Sequence, residues 1–367
     1  MPPKSPPLPT FSRESIRPGD RLCVAISGGS DSVALLLLLH LSNTADRDAL
    51  GVGLSAVHIH HNLRGPEADA DQTFVADLCT RLNIPLHLQQ VDVPAHAATT
   101  RETIEESART LRYRVFRELL STGQADAILT AHTRDDQAET VLMKLLRGTW
   151  TEGLSAIHPI LLLEDDQTPP QKIPGKIVRP ALGLSRAQLE AFLRSQNQSW
   201  RTDTSNADPA YTRNRLRHTI LPLLREENPS LDQTLANLAE LAREEEARWQ
   251  TDLNRLLPQL LLPGKPVRGG GRSVSTTPGS QSLSIEIDRL RALDPATRRR
   301  VLRAAARQLA ARLSFDETAR LLALAGFAPH PTINPRPGAT LELANSLRAE
   351  RSVRELRLYR EPTREPK

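Results

Sequence analysis

Residues 22–41, LCVAISGGSDSVALLLLLHL, combine a short apolar run, a glycine turn and a long apolar segment. The run Leu22–Ile26 predicts a buried strand, because it is short and is followed at once by turn residues. The segment from Ser30 to about Leu41 predicts a buried helix. Gly28 and Gly29 permit the sharp reversal between the two, so the stretch predicts a strand, turn and helix unit.

The same alternation continues to about residue 150. Further strands are predicted at Val52–Ile59, Leu86–Val91 and Ala127–Ala131, and helices at Asp69–Leu82, Glu102–Leu120 and Asp135–Leu146. This order predicts an α/β fold, with a mostly parallel sheet and helices on both faces. Ligands of such sheets bind at the carboxyl ends of the strands. The residues that follow Ile26, Ile59 and Leu129 are therefore the first candidates for a site.

Composition changes divide the chain into five regions. We expect a disordered tail over 1–18, an α/β domain over 19–225, a helical substrate-binding region over 226–262, a flexible linker over 263–281 and a basic α+β region over 282–367. The linker is rich in Gly, Ser, Thr, Pro and Arg, without apolar periodicity. Pro295 fits the first turn of a helix in the last region.

The overall composition excludes several classes of protein. The chain has 48 Lys and Arg against 43 Asp and Glu, a net charge of +5, so a nucleic-acid partner requires clustered charge. Two cysteines exclude a disulfide framework, a four-cysteine zinc site and a cysteine-bound iron–sulfur cluster. The longest apolar run, Val33–Leu39, is too short to span a bilayer. We expect a cytoplasmic protein without a signal peptide or membrane contact.

The turn Ser27-Gly28-Gly29-Ser30-Asp31-Ser32 has the features of a phosphate-binding loop. The helix start offers unpaired N–H groups to an anion, and the serine hydroxyls add donors. It is neither a Walker A loop, since it has no lysine, nor a G-x-G-x-x-G turn. Asp31 would repel phosphates unless Mg²⁺ joined them. The alternative is an ordinary capped helix that follows a glycine turn.

A second candidate segment follows the fourth predicted strand. His132 comes directly after that strand, and Asp135 begins a helix. Asp136 and Glu139 are three residues apart, so both side chains can enter one cleft from one face of this helix. Acidic residues are also favoured at helix starts for purely structural reasons. The position at the end of a strand favours the functional interpretation.

Histidines and arginines elsewhere allow two interpretations each. His58, His60 and His61 suggest zinc, but they alternate across a strand and have no Cys or further His at ligand spacing. Arg109 and Arg112 are three apart on one helix, where they would hold phosphates or form a surface salt-bridge face.

Two arginine clusters favour an extended polyanion as partner. Between Arg179 and Arg225 there are eight arginines and three acids, and Arg298–Arg312 holds six arginines and no acid. The candidate nucleic-acid contacts are Arg201, Arg213, Arg215, Arg217, Arg298, Arg299 and Arg300. A solvated helix face is the alternative for the second cluster.

Taken together, these motifs resemble a known family. The turn at residues 27–32 resembles the PP-loop of the N-type ATP pyrophosphatases, which cleave ATP to AMP and pyrophosphate. The family is narrowed by five further motifs, His60-His61-Asn62-Leu63-Arg64, Glu105-Glu106-Ser107-Ala108-Arg109, Asp135-Asp136-Gln137-Ala138-Glu139-Thr140, Arg147-Gly148 and Arg213-Asn214-Arg215. The set resembles the tRNA(Ile)-lysidine synthase family, closely over about 20–226 and weakly to about 360.

The resemblance implies a reaction. ATP adenylates the C2 carbonyl oxygen of the wobble cytidine in tRNA(Ile) with a CAU anticodon, and the ε-amine of free L-lysine then displaces AMP. It implies ATP binding by Ser27, Gly28, Gly29, Ser30, Asp31, Ser32, Arg109 and Arg112, and Mg²⁺ on Asp31 or Asp136. By the same resemblance, His132 and Arg112 would stabilise charge at the α-phosphate, and Asp136 and Glu139 would bind lysine. The arginine clusters, including the carboxyl region, would bind tRNA, and a homodimer is possible.

The sequence departs from the family pattern at three positions. Thr133 stands where the family usually has histidine, Arg134 replaces a small residue, and Asn62 stands where glycine is common. Three alternatives remain. A small-molecule amidotransferase-type PP-loop enzyme would not need two arginine clusters. A 2-thiocytidine synthase would need paired sulfur-handling cysteines, which this chain lacks. A non-catalytic RNA-binding protein would have no use for Asp31, Asp136 and Glu139 around a phosphate site, because acids oppose RNA.

Overall fold

The computed structural model describes residues 8–63, 65–164, 171–202, 212–267, 271–274 and 281–360. The chain divides into two compact units, Met1–Glu244 and Glu245–Lys367. Arg64, the last residue of the motif that begins at His60, and residues 203–211 of the first arginine-rich stretch lie outside the described residues. No helix in the described ranges has the length and apolar character that a membrane crossing requires.

The first unit is built on a six-stranded sheet of order β3-β2-β1-β4-β6-β5. Its strands are β1 Arg21–Ala25, β2 Gly53–His60, β3 Leu86–Gln90, β4 Ala127–Leu129, β5 Ile160–Leu161 and β6 Lys176–Val178. All neighbours are parallel except β5 and β6. Parallel strands place their carboxyl ends at one edge, so the segments after β1, β4 and β6 come together.

Helices connect these strands and continue beyond them. They are α1 Ser30–Asn43, α2 Pro66–Arg81, α3 Val93–Thr100, α4 Ile104–Ser121, α5 Arg134–Leu146, α6 Thr151–Leu154, α7 Arg186–Ser195, α8 Thr212–Arg215, α9 Leu221–Glu227 and α10 Leu231–Leu260. A π-helical turn, Leu216–Ile220, joins α8 to α9. The boundary between the two units falls within α10. The strand and helix pattern predicted over the first 150 residues is confirmed, whereas α3 was not predicted.

The two faces of the sheet pack into separate apolar cores. Leu22 and Val24 of β1 lie in one core with helix α1, and Cys23 between them lies in the other core with Phe116 of α4. Successive strand residues point to opposite faces, so a strand that is apolar throughout must be covered on both sides. This confirms the predicted α/β sheet with helices on both faces.

The amino-terminal segment makes defined contacts, although we expected disorder over 1–18. Phe11 is buried in the core that contains α1, and the Ser12 N–H donates to the carbonyl of Pro180 at 3.0 Å. A buried aromatic ring supplies a large apolar contact area, which explains why this segment is held. Residues 1–7 lie outside the described part of the chain.

The second unit contains an antiparallel sheet of order β11-β12-β13-β10-β7. Its strands are β7 Leu261–Pro263, β10 Ser282–Glu286, β11 Thr340–Glu342, β12 Leu347–Arg351 and β13 Glu355–Arg360, and a 3₁₀ turn covers Ala344–Ser346. The helices are α11 Ile287–Arg291, α12 Pro295–Gln308 and α13 Phe315–Leu324. Pro295 occupies the first turn of α12, as predicted.

The predicted linker over 263–281 contains local structure. A short antiparallel pair joins β8 Lys265–Pro266 to β9 Arg272–Ser273. The Arg272 guanidinium forms two hydrogen bonds with Glu355, of 2.9 and 3.0 Å. This ion pair fixes a segment whose composition favours flexibility. Residues 268–270 and 275–280 of the predicted linker lie outside the described ranges.

Candidate nucleotide-binding site

The glycine turn lies between β1 and α1 and is held by its own hydroxyl groups. The Ser27 N–H donates to Ser32 Oγ at 3.2 Å, and Ser32 Oγ donates to the Gly29 carbonyl at 3.0 Å. Gly29 is the N-cap of α1 and offers no side-chain cap, whereas α4, α5, α7 and α13 all have capping boxes. The first N–H groups of α1 are therefore available to an anion.

Gly28 has a backbone conformation that only glycine adopts readily. Its φ is +92°, and a Cβ built there would lie 3.4 Å from Arg201 Cγ. Arg201 packs against the turn because its N–H donates to the Gly28 carbonyl at 2.9 Å. Its guanidinium donates to Asp71 at 2.8 Å. The sequence predicted Arg201 as a tRNA contact, and the structure places it beside the phosphate turn.

Two acids project from the start of α5, as the spacing predicted. Asp136 Oδ2 accepts the Thr133 N–H at 2.9 Å, while Thr133 Oγ1 caps the helix. Glu139 is one turn further along α5 and its side chain is only 1% exposed. Thr133, where the family usually has histidine, is itself fully buried. Here it serves to fix the position of Asp136.

Arg186, which no sequence motif singled out, links the turn to the acids. It is the first residue of α7, and its guanidinium lies 3.1 Å from Asp31 and 3.6 Å from Asp136. Its backbone N–H donates to Asp135 at 2.9 Å. Asp31 and Arg186 are 155 residues apart, so only the fold brings them together. A basic residue beside the Ser185 cap was the single available signal.

Burial dominates the ionisation of Asp31. It raises the pKa of this carboxyl group to about 6, although the neighbouring Arg186 acts in the opposite direction. Asp136 also contributes to the increase, since two nearby carboxylates repel each other. At Asp136 burial likewise favours the neutral acid, but Arg213 and the Thr133 N–H outweigh it and lower the pKa. A cation between these two acids is therefore favoured.

Two of the arginines predicted to bind tRNA instead pair with these acids. Arg213 donates to Glu139 at 2.6 Å and to Asp136 at 2.9 Å, and Arg217 forms two bonds with Glu139, of 2.6 and 2.9 Å. Arg215 is exposed and its guanidinium donates to Thr212. A buried carboxylate requires such partners, which explains the position of Arg213 and Arg217.

His132 lies at the end of β4, close to the acids and to several arginines. Its Nδ1 is 3.0 Å from Thr130 Oγ1. Burial, followed by the positive charge of Arg179, lowers the pKa of His132 to about 4, and Arg112 acts in the same direction. The His132 imidazole is therefore neutral near pH 7.

Arg109 is exposed and stacks over the Tyr113 ring, with 4.8 Å between its Cζ and the ring centroid.

The predicted magnesium ligands, Asp31 and Asp136, lie close together at the edge of the sheet. Asp31 and Asp136 share one guanidinium, so their carboxylates already converge on a cation. Across the described ranges, no group of three or more His, Cys, Asp or Glu side chains could hold a metal. Mg²⁺ is bound through one or two carboxylates and completes its shell with phosphate and water, so this donor set fits it.

The arginines of α12, in the second unit, differ in their surroundings. Arg300 is buried and pairs with Glu246 at 2.8 and 3.0 Å. Arg298 donates to the Leu290 and Leu293 carbonyls at 3.0 and 2.7 Å. Arg299 stacks over the ring of Phe315, which is 75% exposed. These contacts indicate a structural role for Arg298 and Arg300, whereas Arg299 lies against an exposed aromatic ring.

Comparison with known proteins adds independent information. The family model described as a PP-loop domain matches residues 8–224. The tRNA(Ile)-lysidine synthase of Solibacter usitatus is 38% identical over 290 residues, which are 78% of this chain and 56% of that protein. The enzyme of the same name from Geobacter sulfurreducens is 34% identical over 347 residues, 94% of this chain and 66% of that protein. The chain thus spans about half to two thirds of the curated relatives that it matches.

A solved structure supports the fold. The U34-tRNA thiolase NcsA from Methanococcus maripaludis, with its [4Fe-4S] cluster, aligns with a TM-score of 0.50 and 14% identity, covering 64% of this chain and 76% of that one. The family match supports ATP as the nucleotide at the glycine turn. Because the family model covers more than half of the sequence, the chain belongs to the PP-loop domain family.

Proposed function

We propose that this protein modifies tRNA(Ile) with a CAU anticodon as a tRNA(Ile)-lysidine synthase. In this reaction ATP adenylates the C2 carbonyl oxygen of the wobble cytidine with release of pyrophosphate, and the ε-amine of free L-lysine then attacks C2 and displaces AMP. The relatives that carry this name support the proposal, since two of them match 78% and 94% of the chain. A cytoplasmic location and a homodimer remain predictions.

The observation that carries the proposal is the convergence of the turn and the acids. The uncapped start of α1 offers donors for phosphate oxygens, and Asp31 and Asp136 face one guanidinium beside it. Adenylation needs an anion site for the departing pyrophosphate, and it needs countercharge at the nucleotide. Both features lie at the carboxyl edge of the sheet, where ligands of such folds bind.

The residues of the turn would hold the β- and γ-phosphates of ATP. The first N–H groups of α1, beginning with Ser30, lie at a helix start without a side-chain cap, and the Ser27 and Ser32 hydroxyl groups, 3.2 Å apart, lie in the same turn. Arg109 and Arg112, as exposed cations on α4, are assigned to the nucleotide as well. His132 would donate one hydrogen bond near the α-phosphate, because its imidazole is neutral.

Asp31 and Asp136 would hold Mg²⁺ once Arg186 moves aside. When bound, this ion would neutralise phosphate charge and so ease the departure of pyrophosphate. The incoming lysine is assigned to Asp136 and Glu139. Both acids already accept hydrogen bonds from arginine, so a lysine ammonium would share their oxygens with Arg213 and Arg217.

For tRNA we retain the arginine clusters as the candidate surface, with a distinction between their members. Arg215 and Arg299 are the members whose surroundings suit a phosphate contact. Arg213, Arg217, Arg298 and Arg300 bond to carboxylates or backbone carbonyls of the protein, so we expect them to organise the fold around the contacts.

The number of cysteines and their positions in the fold disfavour the alternative of 2-thiocytidine synthesis. The only two cysteines of the chain, Cys23 and Cys79, are both buried in apolar cores. Burial raises the pKa of each thiol to about 11, so neither is a ready nucleophile or sulfur carrier. A non-catalytic RNA-binding role leaves the paired acids at the turn without a purpose.

The decisive experiment is an assay with ATP, Mg²⁺, labelled lysine and the tRNA(Ile) transcript. We expect labelled tRNA(Ile), and no label in tRNA(Met) with the same CAU anticodon. Asp31→Ala should abolish pyrophosphate release while tRNA binding is retained. Failure of the wild-type protein to label tRNA(Ile), beside an active control enzyme, would refute the assignment.

A further inference from the structure

Arg179 is a buried cation at the carboxyl edge of the sheet and has no role in the mechanism above. It follows β6 directly, and β6 lies beside β4 in the sheet, next to the strand end that carries His132. Only 6% of Arg179 is exposed. Its N–H donates to the Pro159 carbonyl at 2.8 Å, which fixes the backbone at this point.

The guanidinium of Arg179 contacts only neutral acceptors in the described part of the chain. Nη1 donates to the His158 carbonyl, Nη2 is 3.5 Å from the Tyr113 hydroxyl group, and Nε has no hydrogen-bond partner. Arg300, the one other arginine that is buried in the described ranges, pairs instead with a carboxylate, that of Glu246. A buried charge without a counter-ion is costly, so an anionic ligand that paired with Arg179 would relieve that cost.

The surroundings of Arg179 strengthen this interpretation. Arg109 donates to the same Tyr113 hydroxyl group at 3.2 Å, so two guanidinium groups converge on one phenol oxygen. The charge of Arg179 also acts on His132. Two cations therefore lie at one neutral oxygen atom, an arrangement that suits an anion such as phosphate, whose oxygens accept two hydrogen bonds from a planar guanidinium.

We propose that Arg179 binds a phosphate group of the substrate at this edge of the sheet, and that Arg109 and Tyr113 orient its guanidinium. The phosphate is either that of the nucleotide or a phosphodiester of the RNA, both of which offer paired oxygens to the planar fork. This inference rests on the proposed function only for the identity of these two phosphate sources.

Arg179→Met tests the proposal, with Arg243→Met as the matched control. Arg243 is also partly buried and donates to two carbonyls, of Ser155 and Ile157, but it has acidic neighbours, Glu240 and Glu244. Dissociation constants are measured for AMP, for pyrophosphate and for the tRNA transcript at one salt concentration. Arg179→Met should weaken at least one of these by about tenfold or more, whereas Arg243→Met should leave all three within about twofold.

The pattern of losses identifies the source of the phosphate. Weaker AMP or pyrophosphate binding assigns Arg179 to the nucleotide, and weaker tRNA binding alone assigns it to the RNA backbone. Arg179→Lys keeps the charge but not the fork, so it should weaken the same ligand by about threefold or more even if the methionine variant does not fold. Unchanged binding of all three ligands by a folded variant would overturn the proposal. A wild-type protein that binds phosphates but makes no lysidine would refute the proposed function alone.

Discussion

Arg186 Nε donates to Asp31 Oδ2 at 3.1 Å, and this contact joins the start of α7 to the phosphate turn. The same guanidinium lies 3.6 Å from Asp136, so one arginine neutralises two acids that come from different strand ends. Its side chain and that of Asp31 are only 25% and 19% exposed, which limits screening by water. Arg186 therefore acts as an internal counter-ion for the candidate cation site.

Substitution of Arg186 by glutamine should destabilise the protein. It removes the cation that faces Asp31, whereas Asp136 keeps its pairing with Arg213, and the expected cost is about 1–3 kcal/mol in the free energy of unfolding. Asp31→Asn in the same protein should recover part of this loss. Urea denaturation of the four proteins of the double-mutant cycle measures the coupling. A coupling energy near zero would mean that the ion pair contributes nothing in solution.

Substitution of Arg213 should affect stability, whereas substitution of Arg215 should affect tRNA binding. Arg215→Ala should reduce the slope of log K against log salt by about 1, because it would remove the phosphate contact that we propose for Arg215. Arg213→Ala should leave that slope unchanged and lower the free energy of unfolding by about 1–3 kcal/mol, since Glu139 and Asp136 lose a partner. Binding titrations at several salt concentrations, with urea denaturation, separate the two. A larger decrease of the salt slope in the Arg213 variant than in the Arg215 variant would contradict this expectation.

In the second unit, Arg299 and Arg300 form a matched pair on α12. Arg300→Met should lower thermal stability, because Glu246 loses its guanidinium partner, but it should not change the salt slope of tRNA binding. Arg299→Met should leave stability nearly unchanged and weaken tRNA binding. Calorimetry and binding titrations on the full chain test both expectations. Equal loss of tRNA affinity in both variants would indicate that the buried pair opens when RNA binds.

His132 should be neutral at physiological pH. Burial and the charge of Arg179 lower its pKa from 6.5 to about 4, so the unfolded chain binds the extra proton between these values. Stability should therefore fall as the pH decreases from about 6.5 towards 4, and His132→Gln should reduce this dependence. NMR titration of the imidazole nitrogens measures the pKa directly. A titration midpoint above 6 would show that the ring is hydrated or paired with an acid.

The local sequence predicted most of the first unit because each signal there is short-range. The apolar run Leu22–Ile26 and the turn that follows it predict β1 and α1 to within one or two residues at each end. The three-residue spacing of Asp136 and Glu139 placed both acids on one face of α5. Composition was less informative over 263–281, where the pairing of Arg272 with a glutamate more than 80 residues away creates structure.

What the amino-acid sequence determined by itself was the order of strands and helices, the glycine turn and the chemical types of the candidate site residues. These follow from hydrophobic period, backbone freedom and charge, which are properties of neighbouring residues. The tertiary structure alone decided which of these arginines lie against acids and which lie against neutral groups. Arg186, Arg213 and Arg179 are the same residue type. The first two face carboxylates, whereas the third faces a phenol and a carbonyl. Long-range packing sets those distances, and electrostatic energy depends on distance and burial rather than on residue type.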